Sequence, residues 1–506
     1  MNNSKYGKNV LFVYPQIPAN TYWSFKHALK FINKKSAMPP LGLITIAGFF
    51  PKSYNLRLVD MNIEPLDESH ILWADFVFTG AMIVQKESFQ NVVKVCNKLG
   101  KPVVAGGPYP TSSYSEISGV SHFVIGEVED IFNKFLDDLE NGKADYIYRS
   151  EKTPDISNSI LPRFDLLNMD AYGSMSIQYS RGCPFKCEFC DIWKNYGNTP
   201  RLKSSKSILN ELDSLYDLGW TGAVFVVDDN FIGNKKRVKS ELLPALIKWQ
   251  EEHNHIYRFF TEASINMASD EELLCLMRDA GFNEVFIGIE TPSKEGLKET
   301  GKSQNISCNM EEAVQKIQSY GIEVMAGFII GFDSDTDDIF DRQISFIQKT
   351  GIPKAMIGLL NALPGTALYQ RMQTEGRLLD ESNGNNTHSM ETNFITKMEK
   401  GKLKTGYMRV LKTLYGLNLK NYFNRCSTLL DNIGNNSKLF KRKVEFKEIQ
   451  MLLRSFFIQG SSRYGYQYMK FLMRNFIKHM NTFPEAVRMC IEGHHFYMIT
   501  QESLEA

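Results

Sequence analysis

The chain has 506 residues, which is too long for a single hydrophobic core, so two or three domains are expected. A hydrophobic content of 43%, a charged content of 23% and a net charge of +1 argue against a disordered protein and against a surface built throughout for nucleic acid. The N-terminus lacks a signal-peptide pattern and no window approaches eighteen uninterrupted apolar residues, so we expect a cytoplasmic protein that could still touch a membrane.

The first 150 residues alternate between short apolar runs and helix-length segments. Strands that are apolar throughout and separated by helices predict a parallel sheet covered on both faces, so residues 1–150 are interpreted as a doubly wound, Rossmann-like domain of the α/β class. Several of these strands end in Gly, Pro, Asp or Asn, which form tight turns at the edge where such folds bind ligands. The predicted strands are 9–15, 56–62, 75–82, 102–110 and 122–129, and the predicted helices include 86–99 and 128–141.

A polar segment, 151–172, interrupted by Pro154 and Pro162, is interpreted as a linker. A second series of alternating strands and helices follows it, over residues 173–385. Six strands at helical intervals predict a partial (β/α)6 barrel. The predicted barrel strands are 174–180, 222–229, 258–264, 284–290, 323–332 and 355–364.

The remainder, 386–506, has helical periodicity and many aromatic residues, and is predicted to be a helical C-terminal domain. Residues 401–506 contain 17 Lys and Arg but only 7 Asp and Glu. One interpretation is a helical cap whose basic side chains face water. The other is a basic, aromatic surface for an anionic or lipid-linked substrate, with peripheral membrane contact.

The stretch "SRGCPFKCEFCDI" places Cys183, Cys187 and Cys190 in the pattern CxxxCxxC, whereas the other five cysteines are scattered singly. A structural zinc site would need a further ligand pair some fifteen to twenty residues away. The next Cys or His is His253. Three thiolates and one open position suit an iron–sulfur cubane with one iron free to bind another molecule. The motif also follows the first strand of the barrel, at the end where such barrels place their active sites.

This motif, with the aromatic Phe189 before its last cysteine, resembles the signature of the radical SAM superfamily. The resemblance implies a [4Fe–4S] cluster whose open iron binds S-adenosylmethionine. One electron from the cluster would then cleave this cosubstrate to methionine and a 5′-deoxyadenosyl radical. Such a radical needs a reactive centre that is closed to water.

Three further barrel segments match the superfamily. The segment "VVDDNF" (226–231) offers acceptors for the methionine ammonium in place of the family's Gly-Gly-Glu element, "FIGIET" (286–291) offers an acceptor for a ribose hydroxyl, and "GFIIGFD" (327–333) matches the strand beside the adenine. Ser264 and Arg342 are weaker candidates with a structural role as the alternative. The residues that the resemblance assigns to S-adenosylmethionine are Phe189, Asp228, Asp229, Asn230, Glu290, Gly327 and Gly331.

A doubly wound domain ahead of such a barrel resembles the cobalamin-binding branch that contains the hopanoid C-2 methylase. The segments "MPPLGL" (38–43), "VDMN" (59–62), "AGGPYPT" (105–111) and "GEVE" (126–129) carry this resemblance. Glycines after a buried strand could let a corrin or a phosphate approach the backbone, or could simply shape a turn. The chain has no Asp-x-His-x-x-Gly motif, so cobalamin would bind without a histidine ligand, or would not bind. The residues assigned to cobalamin are Gly106, Gly107, Gly126 and Glu127.

The predicted function is a cobalamin-dependent radical SAM C-methyltransferase acting on an unactivated carbon of a lipid-like or natural-product substrate. An electron donor such as flavodoxin or ferredoxin is expected, and no nucleic acid partner. Two alternatives stay open: a radical SAM enzyme that couples, cyclises or oxidises its substrate without cobalamin, and a non-catalytic iron–sulfur or cobalamin-binding sensor.

Overall fold

The computed structural model describes residues 8–379, 384–385, 390–416, 418–434, 446–478 and 480–505, with the backbone alone at 446–448. Two parallel sheets follow one another along the chain, and helices of the C-terminal part pack against the second sheet. The α/β class, the doubly wound sheet, the six-stranded barrel sheet and the helical C-terminal part are thereby confirmed. The domain boundaries after residues 150 and 172 stay predictions. The boundary between residues 385 and 386 also stays a prediction, and residue 386 lies outside the described residues.

The first sheet has six parallel strands in the order β2-β1-β3-β4-β5-β6. The order reverses at β1, so a crevice is expected beyond the carboxyl ends of β1 and β3. The short edge strand β6 falls at the edge of the predicted linker and was not predicted. The strands are β1 Asn9–Tyr14, β2 Asn55–Asp60, β3 Phe76–Gly80, β4 Val103–Gly106, β5 His122–Ile125 and β6 Ile147–Arg149.

Helices cover both faces of this sheet because its strands are apolar on both faces. Val10 and Phe12 contribute to one buried cluster, and Leu11 and Val13 contribute to the other, as the two-residue period of a strand requires. The predicted helix over 128–141 begins later, at Phe132, after a turn that follows the left-handed Gly126. The helices of this domain are α2 Leu41–Ala47, α3 Glu68–Trp73, α4 Lys86–Lys98, α5 Pro108–Ser113 and α6 Phe132–Glu140, whereas α1 Lys26–Leu29 packs in the core of the second sheet and the C-terminal helices.

The second sheet has six parallel strands in sequence order, β7-β10-β11-β12-β13-β14. Each strand is followed by one or more helices, so the carboxyl ends of all six strands lie at one edge. A two-stranded antiparallel hairpin, β8–β9, follows β7 and encloses the cysteine motif. The strands are β7 Ser174–Ile177, β8 Ser180–Arg181, β9 Arg201–Leu202, β10 Ala223–Val226, β11 Phe259–Ala263, β12 Phe282–Glu290, β13 Glu323–Ile330 and β14 Ala355–Leu359.

The helices of the barrel begin at ordinary capping residues. The side chains of Ser204, Asp270 and Thr366 each accept a hydrogen bond from a backbone N–H in the first turn that follows. The helices are α7 Ile192–Asn195, α8 Ser205–Asp217, α9 Lys235–Arg237, α10 Leu243–Glu252, α11 Glu271–Asp279, α12 Lys294–Glu299, α13 Ser303–Ile306, α14 Met310–Ser319, α15 Ile339–Thr350 and α16 Ala367–Thr374.

The C-terminal helices share one hydrophobic core with the barrel. The hydroxyl of the buried Tyr407 donates to the Ile357 carbonyl at 2.8 Å, and the guanidinium of the buried Arg425 donates to the Ile352 carbonyl at 2.8 Å. These contacts satisfy backbone groups at the last barrel strand. The helices are α17 Lys400–Tyr415, α18 Lys420–Ile433, α19 Phe446–Gly460, α20 Gly465–Lys478 and α21 Phe483–Glu505.

Candidate active site

The three cysteines lie on the loop between β8 and β9. The loop passes through Gly182 in the left-handed region (φ 90°), where a Cβ would come within 2.8 Å of the Gly197 carbonyl oxygen. The Cys183 N–H donates to the Gly197 carbonyl at 3.3 Å, and the Cys190 N–H donates to the Cys187 carbonyl at 3.2 Å. All three side chains are free thiols, so the loop presents three sulfur ligands at the carboxyl edge of the barrel.

The surroundings of these thiols suit an iron–sulfur cluster. Burial raises the pKa of each thiol, and the nearby Lys302 ammonium opposes that effect at Cys183 and Cys187. The Asn230 amide nitrogen donates to Sγ of Cys183 at 3.9 Å. Amide and ammonium donors stabilise thiolate sulfurs, which is what ligation to iron requires. In the part of the chain that the structure describes, no three His, Cys, Asp or Glu side chains are arranged to hold a single metal ion.

Three carboxyl groups lie together at the ends of β10 and β11. Asp228 is buried, and it accepts from the Tyr179 N–H at 2.7 Å and from the Ser180 hydroxyl at 2.6 Å, so it anchors the start of the hairpin. Burial raises the pKa of Asp228 to about 6, of Asp229 to about 7 and of Glu262 to about 8. The neighbouring Asp228 carboxylate raises the pKa of Asp229 and of Glu262 further. Both carboxylate oxygens of Asp228 already accept hydrogen bonds. Asp229 accepts from the Gly182 N–H at 3.3 Å through one oxygen, so Asp229 and Glu262 can still accept from a ligand.

Glu262 was missed in the sequence analysis. Its signal is the alternation in "RFFTEAS", which places Phe260, Glu262 and Ser264 on the same side of β11. Ser264, predicted as a weak candidate, donates its N–H to the Asn230 amide oxygen at 3.2 Å. Asn230 thus joins the end of β11 to the cysteine loop.

Glu290 ends β12 in the left-handed region (φ 63°), which is strained for a residue with a side chain. Its carboxylate forms a buried ion pair with Lys302. The carboxylate of Glu290 and the Lys302 ammonium also fill the space beside Gly288, where a Cβ would contact both. Arg342 lies away from this group, half-buried, and bonds instead to the Pro292 carbonyl and to Asp338.

The predicted adenine strand is closely packed. A Cβ at Gly327 would come within 2.9 Å of the Phe286 ring. Gly331 lies at φ 110°, and its N–H donates to Asp335 at 2.8 Å. The ring of Phe189 packs against Phe332 with 6.4 Å between centroids, which brings the cysteine loop against the end of β13. Which of these residues contact S-adenosylmethionine stays a prediction.

The loop after β5 is clamped to the cysteine hairpin. Glu127, predicted as a cobalamin residue, accepts from Arg201 at 2.6 Å and from Arg181 at 2.9 Å, and its side chain is only 6% exposed. Arg181 also pairs with Glu129 at 2.7 Å. Neither arginine is among the predicted site residues, although Arg181 stands two residues before Cys183. The edge of the first sheet and the cysteine loop are therefore joined by buried ion pairs.

The predicted cobalamin glycines differ in what lies beside them. A Cβ at Gly106 would come within 2.7 Å of the Val124 carbonyl oxygen, and one at Gly107 within 3.4 Å of the Ala81 nitrogen. Close packing between strands is thus sufficient reason for glycine at 106, and the left-handed backbone (φ 85°) is sufficient reason at 107. Gly126 also has a positive φ (78°), but nothing lies within 4 Å of its Cβ position. Its open side is where a ligand could approach this backbone.

A cavity of about 360 Å³ lies at the end of the barrel opposite the cysteine loop. It is bounded by the starts of barrel strands at Ser174 and Ala223, and by α19 and α21 at Met451 and Ile491. Trp23, which precedes α1, also lines it. Most of the walls are apolar, and an ion-pair network of Lys354, Arg488, Glu284 and Glu492 closes one side.

None of the helices in the described residues is both long enough and apolar enough to cross a membrane.

Two family models match the chain. Residues 177–347 match the Radical SAM superfamily, and residues 366–506 match a model described as Domain of unknown function (DUF4070). The first match contains the cysteine loop and the carboxylate group, and the second contains the C-terminal helices.

Curated relatives match most of the chain. The chain is 44% identical over 407 residues to an uncharacterized methyltransferase of Synechocystis sp., covering 80% of this chain and 76% of that protein. It is 36% identical over 381 residues to the hopanoid C-2 methylase of Rhodopseudomonas palustris, covering 74% of this chain and 72% of that protein.

Among solved structures, the fold is similar to that of the cobalamin-dependent S-adenosylmethionine radical enzyme OxsB, with a TM-score of 0.62. The match covers 99% of this chain and 80% of that chain at 15% sequence identity, so the likeness is one of fold.

Proposed function

Because this chain belongs to the branch of the radical SAM superfamily that contains the hopanoid C-2 methylase, we propose that it is a cobalamin-dependent C-methyltransferase acting on an unactivated carbon of a lipid-like or natural-product substrate. The chain is a radical SAM methyltransferase by its family. The proposal adds to that membership the cobalamin, the substrate class and the roles of individual residues.

The observation that carries the proposal is the clamp between the cysteine hairpin and the edge of the first sheet. Arg181 precedes the cysteine loop and Arg201 follows it, and Glu127 forms ion pairs with both. The neighbouring Gly126 has nothing within 4 Å of its Cβ position. A group held at the edge of the first sheet would therefore lie next to a group held by the cysteines. When bound, the cluster with S-adenosylmethionine supplies a 5′-deoxyadenosyl radical, and cobalamin supplies the methyl group.

We assign the cosubstrate to the carboxyl edge of the barrel. Cys183, Cys187 and Cys190 hold the cluster. Asp229 and Glu262 accept from the methionine ammonium, since the Asp228 carboxylate is already engaged by Tyr179 and Ser180. Raised pKa values leave Asp229 and Glu262 partly protonated near neutral pH, and a bound cation would favour their ionised forms.

The remaining assignments surround the nucleoside. Glu290 accepts from a ribose hydroxyl. Its carboxylate would then interact with both the ribose hydroxyl and the Lys302 ammonium. Gly327 and Gly331 are assigned to the adenine beside β13, and Phe189 packs at the end of the same strand. Enclosure by the two sheets excludes water from the reacting carbon.

Two partners complete the proposal. The cluster needs one electron for each cleavage, which a flavodoxin or a ferredoxin can provide. A lipid-like substrate needs access from a membrane, and peripheral contact through the basic C-terminal domain would give that access.

Anaerobic reconstitution tests the function directly. The protein is loaded with iron, sulfide and cobalamin, and is then reduced with S-adenosylmethionine in the presence of a lipid extract from the expressing host. We expect bound corrinoid close to one per chain, formation of both 5′-deoxyadenosine and S-adenosylhomocysteine, and a lipid heavier by one methyl group. Labelled S-adenosylmethionine should transfer its methyl group to that lipid.

Other products identify the alternatives. Substrate turnover with 5′-deoxyadenosine but without corrinoid or S-adenosylhomocysteine would replace methyl transfer by coupling, cyclisation or oxidation. A loaded cluster that never cleaves S-adenosylmethionine under strong reductant would point to a sensor.

A further inference from the structure

The helices α19 and α20 expose an unusual number of large apolar side chains. Ten of the nineteen large apolar residues that are exposed in the described residues lie between 449 and 480. Phe457 is 72% exposed, and Tyr466 and Ile477 are each 75% exposed. Soluble monomers rarely expose contiguous apolar patches beyond a few hundred Å², so this surface is expected to have a partner. We call the outward side of these two helices the hairpin face.

The exposed residues recur at helical spacing. Leu453 and Phe457 lie four residues apart on α19, and Met473 and Ile477 lie four residues apart on α20. Each pair therefore lies on one side of its helix. Tyr468 is buried on the inner side of α20, where its hydroxyl bonds to Ser455 of α19 at 2.9 Å. The helices thus have two apolar sides, one in the core and one facing solvent.

The charged side chains between residues 449 and 480 are of one sign. Residues 449–480 contain no Asp or Glu, and they contain five basic residues, Arg454, Arg463, Lys470, Arg474 and Lys478. Arg474 is paired with Asp431 of α18 at 2.7 Å, and Arg454 donates to Asn33 at 2.6 Å. The hairpin therefore combines apolar side chains with an excess of positive charge, which is the composition of segments that lie on anionic lipid.

This charge argues against a second copy of the chain as the partner. An isologous dimer would bring two faces of the same positive charge together, and like charges in contact oppose association. A lipid surface supplies the opposite charge together with an apolar layer only a few ångströms deeper.

The inner side of α19 faces the cavity at the base of the barrel, away from the cysteine loop. Met451 lines the cavity at the base of the barrel, while Leu453 and Phe457 of the same helix face outward. One helix thus separates a mostly apolar cavity from the hairpin face.

We infer that the hairpin face of α19 and α20 docks the protein on a bilayer of anionic phospholipid. The apolar side chains enter the boundary between headgroups and acyl chains, and the basic side chains contact the phosphates. Binding to the bilayer does not depend on the proposed function. Only its purpose, the supply of an apolar substrate, rests on that function. Vesicle binding is measured without turnover, so its failure and the failure of methyl transfer are distinguishable.

The test is flotation of the reconstituted holoenzyme with vesicles of phosphatidylglycerol and phosphatidylcholine, compared with vesicles of phosphatidylcholine alone. We expect wild-type protein to float with the anionic vesicles, and less so at high salt. The double variant Phe457→Asp, Ile477→Asp should bind at least about tenfold more weakly, because each change places a carboxylate in the lipid boundary. The matched control Leu72→Asp, Leu218→Asp alters two exposed leucines elsewhere and should float like wild type.

Four outcomes would overturn the inference. They are failure of the wild type to float, equal flotation with neutral vesicles, equal loss in the control variant, and lipid-free self-association that the double variant abolishes. S-adenosylmethionine cleavage should be the same in all three proteins, which shows that the variants are folded.

Discussion

Each cysteine of the loop would bind a different iron, so each thiol is needed individually. Changing Cys183, Cys187 or Cys190 to Ala should therefore abolish 5′-deoxyadenosine formation, measured by chromatography after anaerobic reconstitution. The control is Cys275→Ala on α11, a partly buried thiol outside the loop, which should leave activity unchanged. A requirement for Cys275, or activity without one of the three, would refute the cluster assignment.

Glu262 gives a residue-level test that depends on pH. Its pKa is raised from 4.5 to about 8 by burial and by Asp229 and Asp228, so the folded state binds its proton more tightly than the unfolded state. The contribution of Glu262 to the free energy of unfolding of the protein without cofactors should therefore fall as pH rises from about 4.5 to about 8. Glu262→Gln cannot ionise, so its decline across this window should be smaller by at least about 1.4 kcal/mol, the value of one pKa unit.

Urea unfolding at several pH values measures this difference. The control Glu241→Gln changes an exposed glutamate paired with Arg237, and should leave the decline as in wild type. A pH dependence of the free energy of unfolding that is the same in Glu262→Gln as in wild type would show that folding does not raise the pKa of Glu262.

At the level of elements, the clamp between the loop after β5 and the β8–β9 hairpin fixes the cysteine loop. Glu127→Gln keeps the shape of the side chain but removes the charge that faces Arg181 and Arg201. Breaking a buried ion pair by removing one partner costs about 3–5 kcal/mol. We expect a loss approaching this range in urea unfolding, together with faster loss of iron from the reconstituted protein.

The comparison variant for the clamp is Asp165→Asn. It breaks an ion pair with Arg163 in which both side chains are at least 38% exposed, and such pairs contribute about 0–1 kcal/mol. Equal effects of the two variants would mean that the clamp does not hold the hairpin.

At the scale of the whole molecule, the two halves should be separable by mutation. Asn tolerates a positive φ, so Gly126→Asn adds a side chain on the open side of the loop without the clash expected at Gly106. Bound cobalamin and methyl transfer should fall about tenfold or more, whereas S-adenosylmethionine cleavage by the barrel should persist. The absorbance spectrum of the corrinoid and the yield of 5′-deoxyadenosine report the two properties.

Gly142→Asn is the matched control. Gly142 follows α6, has a φ of 65°, and has nothing within 4 Å of its Cβ position. It should bind cobalamin like wild type. Unchanged cobalamin binding in Gly126→Asn would remove the loop after β5 from the cobalamin site.

The sequence by itself determined the order of strands and helices, the two parallel sheets and the cysteine motif. These features are local, because apolar runs, turn residues and a three-cysteine spacing are readable within a few residues of chain. The doubly wound and barrel assignments followed because parallel strands need helical crossovers.

Only the tertiary structure decided which side chains meet. Glu127, which its motif assigns to cobalamin, pairs with Arg201, 74 residues away, and its contact with cobalamin stays a prediction. Glu262 was overlooked because its neighbours Asp228 and Asp229 belong to another strand. The lipid-facing side of α19 and α20 could not be told from the core-facing side by periodicity, since both sides are apolar. Such contacts depend on how distant segments pack, and side-chain spacing along one segment does not encode that packing.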